Sequence, residues 1–342
     1  MKNENTALAA YTFGHFCMDG FCLFLYAYFF ESSPETILTA YLVYHAFSFM
    51  MQPFLGMLCD RFPKPNYSLV SACLAAFALA LCGFIPYAAL ALAGISNTFF
   101  HLDGGYVSLH RKGRSIAPGG IFVGGGAIGV SVGRILATGF EGSFLPFFFA
   151  CLMVVALFLI AIFFSPDAEC RKRNGKFGII SEYSPAAIAV LSFVSIMVRG
   201  FAGSLTEIHL DTGVTANAVI ISLAVLAGKM SGGFIVEKFG IARTSAAALL
   251  LAAVAFCIPG APVIALIGVF LMNIPMSVTL AALSDSMPEN TGFAFGLAPL
   301  ALIISNTFGA FFVPEGTAKT VILAVLLCVS AVIMLLTLKK TK

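Results

Sequence analysis

The residues best placed to do chemistry lie in the first apolar stretch, YTFGHFCMDGFCLFLY (Tyr11 to Tyr26). Tyr11, His15, Asp19, Cys22 and Tyr26 follow at steps of 4, 4, 3 and 4, which places them on one helical face. A carboxylate at the centre of a bilayer costs about 2.5–3.5 kcal/mol, so the stripe is expected to face a wet cavity or a partner. Two roles fit Asp19. As a titrating carboxyl with His15 one turn away, it would load and release a proton. As half of a permanent ion pair, it would only hold helices together. A second set, Asn97, His101, Gly104 and Ser108, also shares one face. Asp103 falls about 200° from His101 on a helix, so the two cannot face the same space. Asp103 then either pairs structurally near Arg111 or Arg114 or serves transport. Tyr41, His45, Ser48 and Gln52 form a third polar face, read as cavity lining or as interhelical hydrogen bonding.

Two arginines sit deep in apolar segments. Arg199 is expected either to hold an anionic substrate group or to pair with Asp19 as a lock. Arg134 is expected to snorkel or to pair with Glu141. Tyr11, Tyr26, His45, Asn97, His101, Arg199 and Asn273 are the expected cavity residues. No metal site is expected, because the histidines are scattered over separate segments and no acid–His spacing supports a shared ion. No cofactor is expected, and no Ser/His/Asp constellation suggests an enzyme. The glycine run PGGIFVGGGAIGVSVG lacks a following GK[ST], so it is not a phosphate loop. Its Gly125, Gly129 and Gly133 instead form a small-xxx-small face for close helix packing.

The elements that must position these residues follow from composition. Of 342 residues, 60% are hydrophobic and 10% are charged. A soluble domain is about a quarter charged, so the chain is read as an all-α integral membrane protein in contact with lipid and with no nucleic-acid partner. Segments of about 20 apolar residues can span a bilayer. Twelve are expected, near 7–30, 35–58, 67–86, 87–110, 118–140, 143–164, 185–207, 213–236, 243–259, 262–284, 291–313 and 319–338. The breaks at Pro86 and at Pro259–Gly260 are the least distinct. The nine cysteines form no CxxC pair and read as small buried residues.

Charge sets the orientation. Lys2, Arg61, Lys64, Arg111, Lys112, Arg114, Arg171, Lys172, Arg173, Lys176, Lys238, Arg243, Lys339, Lys340 and Lys342 gather at one set of ends. The opposite ends carry Glu31, Glu35, Glu141, Glu207, Asp211 and Glu315, with Lys319. The positive-inside rule then puts both termini in the cytoplasm of a multi-pass plasma-membrane protein. The basic connection 165–184 divides the chain into six-helix bundles at 1–164 and 185–342. It is read as a cytoplasmic anchor, or else as a lipid-headgroup site.

The halves carry related stretches. GMLCDRFPK (Gly56 to Lys64) ends the second segment, and GFIVEKFG (Gly233 to Gly240) ends the eighth. Internal duplication of this kind is a mark of secondary transporters. Through Gly56, Leu58, Asp60, Arg61 and Lys64 the chain resembles the major facilitator superfamily, departing from its loop signature at Pro63. The second copy matches through Gly233, Glu237, Lys238 and Gly240. GHFCMD (Gly14 to Asp19) and NTFFHLDGG (Asn97 to Gly105) are similar to stretches of fosmidomycin-resistance-type drug exporters. The resemblance implies two pseudo-symmetric six-helix bundles, a cavity between spans 1, 4, 7 and 10, and gating by Asp60, Arg61, Glu237 and Lys238. Asp60 would meet the start of span 11 near Thr291 and Gly292. It implies a monomer that moves a small-molecule substrate by alternating access with protons. The favoured reading is proton-coupled efflux of an amphipathic compound, with Asp19 and His15 coupling the proton. The alternative is uptake or exchange of a small organic anion.

Overall fold

Prolines open four of the helices, Pro34, Pro86, Pro185 and Pro262, where a missing N–H costs nothing and the fixed φ suits a first turn. Side-chain caps start others: Asn3 accepts from Asn5 and Thr6 N–H, Asn66 from Leu69, and Ser184 from Ala187. The computed structural model describes residues 3–140, 143–173, 177–210 and 212–340. Lys2, Glu141, Lys176, Asp211 and Lys342 lie outside the described residues, so the Arg134–Glu141 pair cannot be placed.

The long helices are α1 (Glu4–Phe30), α2 (Pro34–Arg61), α3 (Tyr67–Leu81), α4 (Pro86–Leu109), α5 (Ala117–Gly139) and α6 (Leu145–Phe163), followed by α7 (Pro185–Ser204), α8 (Val214–Phe239), α9 (Ile241–Phe256), α10 (Pro262–Ser286), α11 (Thr291–Phe311) and α12 (Gly316–Thr337). Among the described residues, nine are long and apolar enough to cross a membrane. The nine do not include α3 and α9, which are apolar but shorter, or α4, which is long but carries Asn97, His101 and Asp103. A short helix, Ala168–Lys172, and an antiparallel pair of two-residue strands, Ile179–Ile180 with Lys339–Lys340, complete the described structure.

Two helices are interrupted. Turns of α2 widen to a π-helix at Ala46–Met50, and α10 breaks at Ile274–Pro275 between its two helical pieces. Both lie near the middle of the bundle, where transporters place discontinuous helices. The π turn is anchored by Thr98, whose hydroxyl sits 2.9 Å from the Phe47 carbonyl and 2.7 Å from that of Ser48. It also alters the expected polar face of α2. His45 lies among Tyr41, Tyr44 and Phe49. His45 Nδ1, Ser48 Oγ and both amide atoms of Gln52 are buried and have no hydrogen-bond partner among the described residues.

Glycine sets how closely α5 is approached. A Cβ on Gly125, Gly129 or Gly133 would lie 2.2, 2.3 or 2.1 Å from the carbonyl oxygens of Thr12, Phe16 and Gly20, so α1 packs backbone to backbone along this face. On another face, a Cβ on Gly120 would lie 2.3 Å from Lys229 O of α8. One helix therefore holds α1 of the first half and α8 of the second.

Part of the connection 165–184 is packed into the protein. Arg171 is buried and forms a bidentate pair with Asp103, 2.9 Å to each oxygen. Asp103 therefore pairs with Arg171 rather than with Arg111 or Arg114. Arg111 instead donates to Glu4 O and the Asn5 side chain. Arg134 pairs with Glu31 at the opposite, acidic end.

Candidate functional site

His15, Asp19 and Lys229 lie near the middle of their helices, and His101 and Arg199 lie nearer the C-terminal ends of α4 and α7. His15 and Asp19 come from α1. His101 and Asn97 come from α4, which packs along α1 from Tyr11–Phe100 to Cys22–Ala93. Gly126 of α5 leaves the space, since a Cβ there would stand 2.2 Å from Asp19 Oδ2 and 2.4 Å from His15 Nε2.

The hydrogen bonds fix the tautomers. His15 Nδ1 is 2.8 Å from Phe122 O, and His101 Nδ1 is 2.8 Å from Asn97 O. A carbonyl only accepts, so both Nδ1 atoms carry hydrogen. Neutral rings would then turn two lone pairs toward each other, yet the Nε2 atoms are 2.7 Å apart. Asp19 adds its carboxylate 3.1 Å from His15 Nε2 and 3.8 Å from His101 Nε2, and Asn97 Nδ2 donates to Asp19 at 2.8 Å. The arrangement is satisfied by one added proton on an Nε2, donated to the other ring or to the carboxylate. The cluster is then neutral overall, one imidazolium against one carboxylate.

One expectation changes here and another narrows to its second alternative. The histidines are not too scattered to meet: His15, Asp19 and His101 bring three ligand atoms within 4.8 Å. Their spacing nevertheless suits a proton. Two imidazole nitrogens on a tetrahedral zinc would stand about 3.3 Å apart, given Zn–N near 2.05 Å. The α1 stripe also does not face open water. Tyr11 is bonded to Ser68 Oγ at 2.5 Å, Cys22 lies against the Ala93 carbonyl, and Tyr26 reaches the Ile37 carbonyl at 3.3 Å. Neighbouring helices satisfy these groups.

The second half holds a cavity of about 480 Å³ walled by α7, α8, α10 and α11. It runs from Arg199 and Lys229 to Thr206 and Ile208 at the acidic end of α7. Asn273 and Asn306 supply amides, and Ile196, Ile221, Val225, Val269 and Leu302 supply apolar wall. No acid lines it. Of the expected cavity residues, Arg199 and Asn273 border this space, whereas Tyr11, Tyr26, His45, Asn97 and His101 do not. Arg199 does not pair with Asp19. It donates to Thr279 Oγ1 at 2.9 Å and to Ser195 O at 3.2 Å. Both partners are neutral, so its charge is available to the cavity.

Lys229 is the residue the sequence reading missed. It borders the cavity together with Arg199, and its ammonium makes no hydrogen bond among the described residues. A lone lysine ten residues inside a 26-residue apolar helix is itself the signal, since an intramembrane charge marks function by default.

At the basic end the halves are clasped by two matching contacts. Asp60 at the end of α2 accepts from the first amides of α11, Gly292 N at 2.9 Å and Phe293 N at 3.0 Å, and from Tyr106 OH at 2.5 Å. Glu237 at the end of α8 accepts from Ile116 N at 2.5 Å and Ser115 Oγ at 3.2 Å, at the start of α5. Each is an anion on a helix N-terminus of the other half. His110 adds a bond to Thr291 Oγ1 at 2.8 Å. Among the described residues, Arg61 and Lys238 make no bond in either clasp. They turn over Phe62 and Phe239. A Cβ on Gly56 would lie 2.3 Å from Gly292 O, so the approach requires glycine. Each cap is worth about 1 kcal/mol. Asp60→Asn with Glu237→Gln is therefore expected to favour separation of the basic ends roughly thirtyfold. Spin labels at Lys64→Cys and Arg243→Cys, both exposed, would report it as a longer distance population. An unchanged distribution would mean that the caps do not hold the closure.

No protein-family model matches the chain, and no curated protein matches it. Solved structures do. The human organic anion transporter MFSD10 (TETRAN) superposes with a TM-score of 0.69 at 13% identity, covering 97% of this chain and 99% of that one. The fucose:proton symporter FucP of E. coli gives 0.67 at 13% identity, covering 96% and 97%. A further FucP structure, a major facilitator superfamily transporter in the outward conformation, gives 0.67 at 10% identity with the same coverage. The chain thus has the fold of these membrane transporters.

Proposed function

We propose that this chain is a proton-coupled secondary transporter of small amphipathic organic anions, working by alternating access as a single chain in the plasma membrane. Twelve helices cross the bilayer, α3, α4 and α9 with the nine longer ones. The basic end and both termini are cytoplasmic. The observation that carries the reading is the pairing of two features at mid-bundle. One is a cavity with two cations, two amides, apolar walls and no acid among the described residues. The other is a His15–Asp19–His101 cluster that requires one proton. The names of the structural neighbours, an organic anion transporter and a sugar:proton symporter, agree with both parts. Drug efflux draws its support from GHFCMD and NTFFHLDGG, whose residues build the proton cluster and helix packing rather than the cargo cavity.

In this state Asp60 and Glu237 close the cytoplasmic side, while the cavity extends toward the other. Alternating access then consists of breaking the two caps and closing the outer end around Arg134–Glu31 and Glu207–Lys319, the latter 2.6 Å apart.

The test uses purified protein in lipid vesicles with 2-naphthalenesulfonate, which stays ionised at every working pH and does not cross lipid as a neutral acid. An imposed gradient of two pH units is expected to drive it against its own concentration gradient. Arg199→Lys should weaken apparent affinity about tenfold or more, because a point charge cannot reproduce the guanidinium fork and a charged hydrogen bond is worth about 1.5–3 kcal/mol. If neither polarity of the gradient moves the sulfonate, the reading fails.

A further inference from the structure

We propose that His110 is a cytoplasmic acid sensor: a proton gained there loosens the contact between the halves and opens the basic end. This role rests on the proposed cytoplasmic closure, and it stands apart from both the cargo cavity and the mid-bundle cluster.

His110 follows the last residue of α4 at the basic end and is buried, 2% exposed. Its ring joins three elements. Nδ1 lies 2.7 Å from the Cys170 carbonyl of the connection. A carbonyl only accepts, so Nδ1 carries the hydrogen. Nε2 lies 2.8 Å from Thr291 Oγ1, on the first residue of α11. In the neutral ring Nε2 has a lone pair, so the Thr291 hydroxyl donates to it. One neutral tautomer thus satisfies both contacts, one with the connection and one with the second half.

A second proton would go to Nε2. It would consume the lone pair that Thr291 uses and set a cation against the N-terminus of α11, whose partial charge is also positive. The charged groups around the ring are already engaged. Arg173 donates to His110 O at 2.8 Å and pairs with Glu4 of α1. Arg111 donates to Glu4 O and Asn5, and Asp167 accepts from Cys170 N. Asp60 of α2 is held by Gly292 N, Phe293 N and Tyr106 OH. The Tyr106 ring packs 5.4 Å from that of His110, and Glu289, before α11, is exposed. Among the described residues no carboxylate bonds the ring. Burial therefore pushes His110 down to about 4; the Cys170 carbonyl opposes this and Arg173 adds to it. When α11 withdraws, the ring meets water and returns to about 6.5. The open form then binds the proton more tightly. The contribution to closure is complete above about pH 6.5 and is lost as the pH falls toward 4. Between pH 7.5 and 5.5 the ratio of open to closed forms should rise roughly tenfold.

Spin labels at Lys64→Cys and Arg243→Cys read the basic end directly, in lipid nanodiscs and with no substrate present. Cys73, Cys151, Cys257 and Cys328, the cysteines that are not buried, are first replaced by serine. From pH 7.5 to 5.5 the longer distance population should gain roughly tenfold on the shorter one. His110→Gln, whose amide oxygen can still accept from Thr291, should show no such gain. Neither should His110→Asn, whose amide can still donate to Cys170 O. Asp60→Asn with Glu237→Gln should hold more of the longer population at every pH yet keep the tenfold gain, since its caps no longer titrate. A wild-type ratio that does not rise with acid, or a rise that survives in both His110 variants, would overturn the sensor. So would loss of the rise in the cap variant, which would place the titration on the carboxylates. A cap variant that matches the wild-type distances at every pH would instead remove the closure reading itself.

Discussion

Asp19→Asn is expected to abolish gradient-driven accumulation while sparing exchange of labelled for unlabelled 2-naphthalenesulfonate across the same vesicles. Asparagine has the shape of aspartate, and its carbonyl can still accept from Asn97 Nδ2, which lies 2.8 Å from Asp19 Oδ1. Its amide nitrogen would occupy the position of Oδ2, 3.1 Å from His15 Nε2, and donate there. That bond satisfies the ring's lone pair without any added proton, and no carboxylate remains to balance an imidazolium. The cluster loses both its need for the proton and its counter-charge. Because one pH unit is worth 1.36 kcal/mol, a one-to-one carrier under two units can concentrate its cargo about a hundredfold. The variant should fall to no accumulation at all. His101→Gln should behave alike, since a glutamine amide can donate where the ring shared its proton. A variant that still concentrates sulfonate would remove Asp19 from coupling and leave it the structural ion pair that the sequence equally allowed.

How far this site was legible from the sequence differs from residue to residue. His15 and Asp19 were readable together because a step of four places them on one face whatever surrounds them. His101 was readable as polar and inward, but its meeting with His15 depends on how α4 packs against α1, which no local pattern encodes. The breaks at Pro86 and Pro259–Gly260 were the least distinct in the sequence because the apolar run is almost continuous there, although a proline opens each following helix. The π turn at Ala46–Met50 and the break at Ile274–Pro275 left the hydropathy of their segments unchanged, so the apolar run concealed them. Asp60 was legible through its loop pattern, and its partner Gly292 through a permissive helix start. Lys229 was overlooked because one charge among Gly228, Met230 and other small or apolar residues barely alters a segment average. Arg171 was concealed differently. In RKRNGK it looks like its neighbours, and only the approach of Asp103 from α4 separates a buried partner from a solvated anchor.

That separation makes Arg171→Met the substitution with the largest expected cost to stability, about 3–5 kcal/mol. Arg171 satisfies four acceptors: both Asp103 oxygens at 2.9 Å, and the carbonyls of Pro63 and Pro65 at 2.9 and 2.8 Å. Its guanidinium also lies 5.2 Å from the centre of the Tyr67 ring. Methionine fills much of the volume but leaves Asp103 charged, fully buried and bonded only to Ser68, by N–H at 2.8 Å and Oγ at 2.6 Å. Lysine should recover little, since one ammonium cannot span a carboxylate and two carbonyls. The diagnostic variant is the double Arg171→Met, Asp103→Leu, which removes both charges. It should unfold in detergent at a higher temperature than Arg171→Met alone, because breaking a buried pair costs more than replacing it. Equal melting of the single and double variants would mean that the pair carries no such coupling. The consequence extends to the transport cycle. Arg173 fastens the same connection to Glu4 at 3.1 Å and to His110 O at 2.8 Å. Farther along, Phe177 and Ile179 N–H bind Asp285 of α10 at 2.8 and 3.0 Å. The connection is thus tied to both halves at the end where Asp60 and Glu237 clasp them. Freeing its first anchor should therefore also lengthen the Lys64–Arg243 label distance, even with both helix caps intact.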